Sequence, residues 1–357
     1  MSLPLRIAFT LQSARARLHR HLPFVPFRLS QLTLILTEQC NQRCGFCFLG
    51  PPKKSVFLDR GLLAGLLDQV PRSTVLSFTG GEPALHPECF SLLEHYANEF
   101  RLSLESNGTL FDDRTARRLV SLGSRTVLGN GLKIISIPLN GPPELHDRLV
   151  GQSGAHARAL TALLRLQYWK QRFGLRFPLL NLRYVVTPEN LAEVEYLPRM
   201  LESQGFDLGN FLLENPARYF GKGGRSETVP GADRPIDEGT LNRACDVLAR
   251  AGRSERYIFL TPDLAGRSEL RRFFRNELEL GAYTCALASS RLILRPSGAL
   301  HLCVQGPPLV ENVRGVELFA LLRSHALSSF RRILRKGLPP HCARCCGLLG
   351  VGGSLVG

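Results

Sequence analysis

No stretch of this 357-residue chain holds the roughly 18 consecutive apolar residues that a membrane-spanning helix needs. No apolar run is followed by a signal-cleavage pattern either, so the expected setting is the cytoplasm, with peripheral contact at a membrane as the one qualification. No internal repeat is visible, and no nucleic-acid motif accompanies the arginines, which argues against a nucleic-acid partner. Acidic residues are scarce, 30 against 45 Lys and Arg, for a formal charge of +15. That imbalance suits an anionic partner, although a generally basic surface explains it equally well. Residues 1–30 have no acidic residue at all. There Arg6, Arg15, Arg17, Arg20 and Arg28 alternate with Leu3, Ile7, Leu11, Leu18 and Leu22 at a spacing that predicts an amphipathic helix, suited to pack on the body of the protein or to dock on an anionic membrane surface.

The hydrophobic content of 44% is enough for one large domain and a smaller one. From Leu32 to Asn215, short β-rich runs alternate with helical patterns, the signature of parallel strands joined by crossover helices. Strands are predicted at Leu32–Thr37, Thr74–Thr79, Leu102–Ser106, Ile134–Leu139, Leu180–Val186 and Phe211–Glu214. Helices are predicted at Arg60–Gln69, Glu88–Phe100, Asp113–Leu122, Ala155–Phe173 and Leu191–Gln204. The fold class is therefore α/β, a partial (β/α)6 TIM-like barrel with a small C-terminal cysteine-rich module. The expected organisation is a basic N-terminal segment (1–30), the barrel (31–215), a bridge with two polar helical stretches (216–280), the cysteine module (281–347) and a Gly-rich tail (348–357).

Ten cysteines in a reducing compartment point to metal or cluster ligation and not to disulfides. Cys40, Cys44 and Cys47 share one loop directly after the first predicted strand. Three thiolates can hold three irons of a 4Fe-4S cube and leave the fourth open to an exogenous ligand, whereas an electron-transfer cluster or a structural zinc would take four. This motif, with Phe46 before its third cysteine, resembles that of the radical-SAM superfamily. After the second strand, Gly80-Gly81-Glu82-Pro83 looks like the superfamily's motif for the methionyl amino group of S-adenosylmethionine (SAM): glycines allow close backbone approach, and Glu82 or free carbonyls can accept from an ammonium.

The resemblance extends over the predicted barrel. Ser106-Asn107-Gly108 lies where the family commonly contacts the ribose, and a simple strand-ending turn reads equally well. The stretch from Asn140 to His146-Asp147 resembles one found in peptide-modifying and cofactor-making members, and Val185 to Asn190 resembles the region near the adenine. Pro138 and Val150 stand where those members carry a Ser and an Arg for SAM, so Ser136, Arg148 and Arg183 are the candidates to replace them.

Further on, Cys285, Cys303, Cys342 and Cys345, with Cys346 as an alternate for Cys345, resemble the twitch module, or a shortened SPASM domain, which binds an auxiliary 4Fe-4S cluster. Arg295-Pro296-Ser297-Gly298 reads as a tight hairpin that would bring Cys285 and Cys303 together. A four-cysteine zinc site is the other reading of this spacing. Cys89 and Cys245 have no ligand-spaced partner and read as buried apolar cysteines, and His86, His95 and His301 as structural groups.

What the resemblance implies is an enzyme that cleaves SAM reductively to a 5′-deoxyadenosyl radical and abstracts hydrogen from a substrate. The electron would come from a donor such as flavodoxin or ferredoxin. The favoured outcome is oxidative modification or cross-linking of a ribosomal peptide or a small natural product, although no separate leader-binding domain is visible before the first strand. The other readings are modification of a lipid or isoprenoid at a membrane surface, and a non-catalytic iron–sulfur or zinc protein.

Overall fold

The computed structural model describes residues 26–52, 56–215, 235–253, 258–262, 266–304 and 306–351, with short pieces at 17–18, 22, 217–218, 227–228 and 264. Most of the predicted N-terminal amphipathic helix lies outside the described residues. Among the described residues no helix is long and apolar enough to cross a membrane.

Six parallel strands follow one another across the sheet in chain order: β1 (Gln31–Ile35), β2 (Val75–Thr79), β3 (Arg101–Glu105), β4 (Gly131–Pro138), β5 (Leu179–Val186) and β6 (Leu208–Leu213). The crossovers carry helices α1 (Arg60–Leu67), α2 (Cys89–Ala97), α3 (Asp113–Ser121), α4 (Pro143–Val150), α5 (Ala155–Arg172) and α6 (Tyr196–Gln204). This is the predicted partial barrel, open at its edges. The two-residue strands β7 (Ala217–Arg218) and β8 (Glu227–Thr228) form a separate ribbon.

The two faces of the sheet differ. Leu32, Leu34, Leu76, Phe78, Leu102, Leu104, Ile135, Ile137, Leu182, Tyr184 and Phe211 are buried in the main core against the helices. Alternate positions on the other face are polar, and they bond across strands: Ser103 Oγ donates to Ser77 Oγ at 3.0 Å, Asn181 Nδ2 to Ser136 Oγ at 2.9 Å, and Arg183 to Glu105. Fully buried parallel strands are usually apolar on both faces; here the inner face carries polar side chains that bond to one another across strands.

Several elements differ from expectation. The segment predicted as one helix over Leu191–Gln204 is a 3₁₀ turn, Leu191–Glu193, followed by α6. Pro198 falls in the first turn of α6, the place where its missing N–H is harmless. Helix α4 was not among the predicted helices; Pro143 starts it, at a position where its missing N–H is harmless. The bridge contains the two expected helical stretches, α7 (Glu238–Arg253) and α8 (Arg267–Phe274), and also β9 (Ile258–Thr261), a seventh parallel strand paired with β6.

At the opposite edge, β11 (Arg291–Leu294) pairs parallel with β1. Strands β12 (Leu300–His301) and β13 (Pro308–Val310) then extend the sheet antiparallel. Separately, β10 (Tyr283–Cys285) pairs with β14 (Leu348–Gly350), which begins where the Gly-rich tail was expected. Leu348 and Leu349 are both buried there, which fixes the strand. Helices α9 (Leu318–Leu322) and α10 (His325–Lys336) complete the described chain.

Candidate active site

The loop after β1 is pinned on three sides. Toward α4, Arg43 N donates to Val150 O at 2.8 Å and Gly45 N to Leu149 O at 3.3 Å, so the loop satisfies carbonyls that the helix end leaves open. Toward β2, Gly81 N donates to Thr37 O and Glu82 N to Gln39 O, both at 2.8 Å. A Cβ added at Gly81 would lie 2.3 Å from Gln39 O, and one at Gly80 would lie 2.6 Å from Thr37 O. These two glycines are thus required by the contact between the two loops. Toward β3, Asn107 Nδ2 donates to Asn41 Oδ1 at 2.7 Å and Asn41 Nδ2 to Thr109 Oγ1 at 2.9 Å.

This pinning gathers three thiols. Burial pushes Cys40 up to about 11, with the charges of Glu82 and Cys47 adding to it. Burial and then the charges of Cys47 and Cys40 push Cys44 well above its ordinary value. Three mutually destabilised thiolates are a donor set that a cationic iron cluster would relieve, so the residues fit a three-cysteine cube. Among the described residues no three His, Cys, Asp or Glu side chains converge on a single-ion site; a cube instead takes one thiolate per iron. Ile35, Leu49 and Ile293 form a small buried cluster, with Phe48, Val304 and Cys47 packed against it. Phe46 is half-buried on the same loop.

Glu82 is fully buried, and its carboxylate accepts from Ser106 Oγ at 2.8 Å, Asn107 N at 2.8 Å and Ala84 N at 3.0 Å. Burial holds its carboxyl above the usual range despite these bonds. The side chain therefore knits the end of β2 to the end of β3, which leaves backbone carbonyls as the acceptors that this motif can offer to an ammonium. Pro83 starts the short 3₁₀ turn Pro83–Leu85. Ser106 and Asn107 belong to the same knot, with Ser106 Oγ also accepting from Gly108 N at 3.0 Å.

Of the proposed replacements at the SAM site, Ser136 and Arg183 lie on the inner face, while Arg148 is exposed on α4. Arg183 forms a two-pronged pair with Glu105 at 2.8 and 3.0 Å, which holds Glu105 below the usual carboxylate range. Arg291, a residue the sequence did not single out, adds to that lowering from β11. Its signal was hidden because β11 is distant in sequence from β1 and becomes its neighbour only in the sheet.

The stretch from Asn140 to Asp147 is structural. His146 Nδ1 accepts from Asn140 N at 3.0 Å, Asn140 Oδ1 accepts from Val185 N at 2.9 Å, and Asn190 Nδ2 donates to Asn140 O at 3.0 Å. Asp147 accepts from His156 N at 2.8 Å. Burial holds His146 down at about 4, so it stays neutral with Nδ1 as the acceptor.

The second set of cysteines assembles from distant segments. Cys285 is on β10, Cys303 follows β12, and Cys342, Cys345 and Cys346 lie in the turn before β14. Cys285 is pushed up to about 11 by burial and then by the charge of Cys303. Cys342 is pushed up to about 12 by burial and then by Cys285 and Cys303. Cys345 hydrogen-bonds to Cys346 and is raised by that bond, by burial and by the charges of Cys346 and Cys285. Cys346 is lowered by that same bond and, despite burial, by the charges of Arg291 and Arg183. The predicted hairpin is present at Arg295–Ala299, with Gly298 at φ +86°, but it pairs β11 with β12; Cys285 reaches the group from β10 instead. Cys89 and Cys245 are fully buried and outside both sets.

Residues 34–196 match the family model of the Radical SAM superfamily. Over 187 residues the chain is 26% identical to a tungsten-containing aldehyde ferredoxin oxidoreductase cofactor-modifying protein of Pyrococcus furiosus, covering 50% of each chain. Over 224 residues it is 27% identical to a pre-heme d1 synthase of Dinoroseobacter shibae, covering 60% of this chain and 49% of the relative. The chain thus spans about half the length of the curated relatives it matches. Among solved structures, SuiB of Streptococcus suis aligns with a TM-score of 0.61 at 15% identity, over 85% of this chain and 68% of that one. The anSMEcpe structure aligns with a TM-score of 0.58 at 18% identity, over 85% and 83%. At those identities the structural likeness speaks for the fold alone. The three-cysteine loop and strands β2 to β5 all lie within the matched segment, so that this part of the chain is similar to the Radical SAM superfamily.

Proposed function

We propose that the chain holds a 4Fe-4S cluster on Cys40, Cys44 and Cys47, cleaves SAM reductively and oxidatively modifies a ribosomal peptide or small natural product. The observation that carries this reading is the three-way pinning of the cysteine loop to β2, β3 and α4. When bound, the cluster supplies the electron for carbon–sulfur cleavage, from which the 5′-deoxyadenosyl radical arises. The protein's own part is placement. Gly80 and Gly81 set the backbone against the loop, Glu82 fixes the end of β3, and the polar inner face with Ser136, Asn181, Arg183 and Arg291 orients the ligands.

Cys285, Cys303, Cys342 and Cys345 fit a second cluster, with Cys346 turned toward Arg183 and Arg291. A redox group beside the inner face supports an oxidative outcome, because an electron leaving the substrate would have a short path to it. Anaerobic reconstitution tests both claims. About eight irons and dithionite-dependent release of 5′-deoxyadenosine are expected. Half that iron with one zinc removes the second cluster, and intact SAM on a fully loaded protein removes the enzyme reading.

A further inference from the structure

A radical SAM reaction consumes an electron that the chain must receive from outside, and the structure carries a surface suited to that delivery. Residues 318–357 contain no acidic residue and six basic ones, Arg323, Arg331, Arg332, Arg335, Lys336 and Arg344. Most of that charge lies on α10. Its inner side is closed: Leu327 and Arg331 are buried, Arg331 sits 6.0 Å from the ring centre of Phe27, and Phe330 packs on the core. Its outer side presents Arg332, Lys336 and the half-exposed Ile333 to solvent. Arg323 and Phe319, from the turn and helix just before it, are also exposed. The second acid-free segment comes close by, where Arg17 Nε donates to Gly350 O at 3.0 Å.

The position of this basic face narrows its use. Helix α10 packs on β10, the strand that carries Cys285, and leads through a short connection into Cys342. A generic basic surface would have no reason to lie over the C-terminal cysteines. A surface that receives electrons does, since electron transfer requires the two redox groups to come close. Exposed apolar residues alongside exposed basic ones match a transient protein interface, in which charge steers and a small apolar contact seats the partner.

We infer that the outer face of α10, with Arg323 and Phe319, is the docking site for an acidic one-electron carrier protein. This rests on the radical SAM reading and adds where on the chain such a carrier docks. The test uses the full, reconstituted chain and an acidic flavodoxin as the probe. Binding is measured by calorimetry at low and high salt, beside SAM cleavage driven either by reduced flavodoxin or by dithionite.

The triple charge reversal R323E/R332E/K336E should weaken flavodoxin binding at least about 30-fold at low salt and abolish its salt dependence. It should slow flavodoxin-driven cleavage while leaving the dithionite-driven rate unchanged. The milder pair R332Q/K336Q should give a smaller loss in the same direction, which separates docking from a folding defect. Unchanged flavodoxin affinity in both variants overturns the proposal. So does loss of binding to vesicles containing phosphatidylserine with flavodoxin binding intact, which would make this a lipid face. If dithionite fails to drive cleavage in the unaltered protein, the radical SAM reading fails, and the binding data still decide the docking claim.

Discussion

Cys40, Cys44 and Cys47 meet within eight residues of one loop, whereas Cys285, Cys303, Cys342, Cys345 and Cys346 are drawn from three separate segments. The first set is held by backbone hydrogen bonds to β2 and α4, which form as soon as the barrel does. The second depends on pairing of β10 with β14 and on the turn between α10 and β14, contacts that close across more than sixty residues of chain. The first is therefore a local site on a rigid support, and the second a tertiary site whose geometry follows from the closing of the C-terminal region. This difference implies separable losses. In Cys44→Ala, dithionite-driven release of 5′-deoxyadenosine should disappear and iron should fall to about half of the loaded value. In Cys285→Ala, iron should fall by a similar amount while SAM cleavage continues. If Cys285→Ala also abolished cleavage in dithionite, the two sites would not be independent.

Next in size is the knot beneath the first site. Glu82 engages three donors in a fully buried position, so Glu82→Ala strands the hydroxyl of Ser106 and the amides of Asn107 and Ala84. The expected cost is about 3 kcal/mol in denaturant unfolding of the metal-free protein, together with loss of iron from the N-terminal loop. Glu82→Gln preserves acceptor capacity on one oxygen and should lose about half as much. Iron on the C-terminal cysteines should be retained in both, which would confirm that the knot serves one site alone.

A pH experiment probes the same support from its α4 side. His146 holds the start of the α4 segment by accepting from Asn140 N, which requires the neutral ring. Its folded pKa of about 4 lies below the ordinary value of 6.5. Between those values the unfolded chain takes up a proton that the folded chain refuses, so this group's contribution is intact above about pH 6.5 and is lost as pH falls toward 4. The loss is on the order of 3 kcal/mol at the acid end. In His146→Gln the stability curve of the metal-free protein should be flatter over that window. A variant with the same acid slope as the parent would show that His146 does not carry it.

The difference between the two sites also explains what could be read in the sequence. The six barrel strands and the three-cysteine loop were legible because each is contiguous: alternating apolar residues mark the strands, and the ligands sit together in the chain. The sequence pointed to Gly80 and Gly81 as allowing close backbone approach to SAM; the approach that the fold requires of them is to Thr37 and Gln39, which the sequence did not show. Glu82 or free carbonyls were read as the acceptors for an ammonium, because sequence shows an acid in a turn but not that Ser106 and Asn107 donate to it. His146-Asp147 was read by resemblance, and only the fold shows that both side chains serve the backbone around α4. Strand β9 was missed because four residues before a proline carry too little periodicity, and the pairing of β11 with β1 because the two lie about 260 residues apart. Arg291, which depends on that pairing, was missed with it.

The smallest predicted effect is a control on the whole comparison. Cys89 starts α2 directly after the Glu82 turn and is fully buried, and burial holds its thiol protonated. It lies seven residues after Glu82 in the chain, and the charge of Glu82 reaches it. If proximity to the knot were enough to recruit a thiol, Cys89→Ala would lower iron content. If the pinned loop alone selects its ligands, the variant should keep full iron and full SAM cleavage and lose only the packing of one sulfur, about 1 kcal/mol in denaturant unfolding. Cys89 belongs to the main buried core, whereas Cys47 packs against a separate small cluster, and this favours the second outcome.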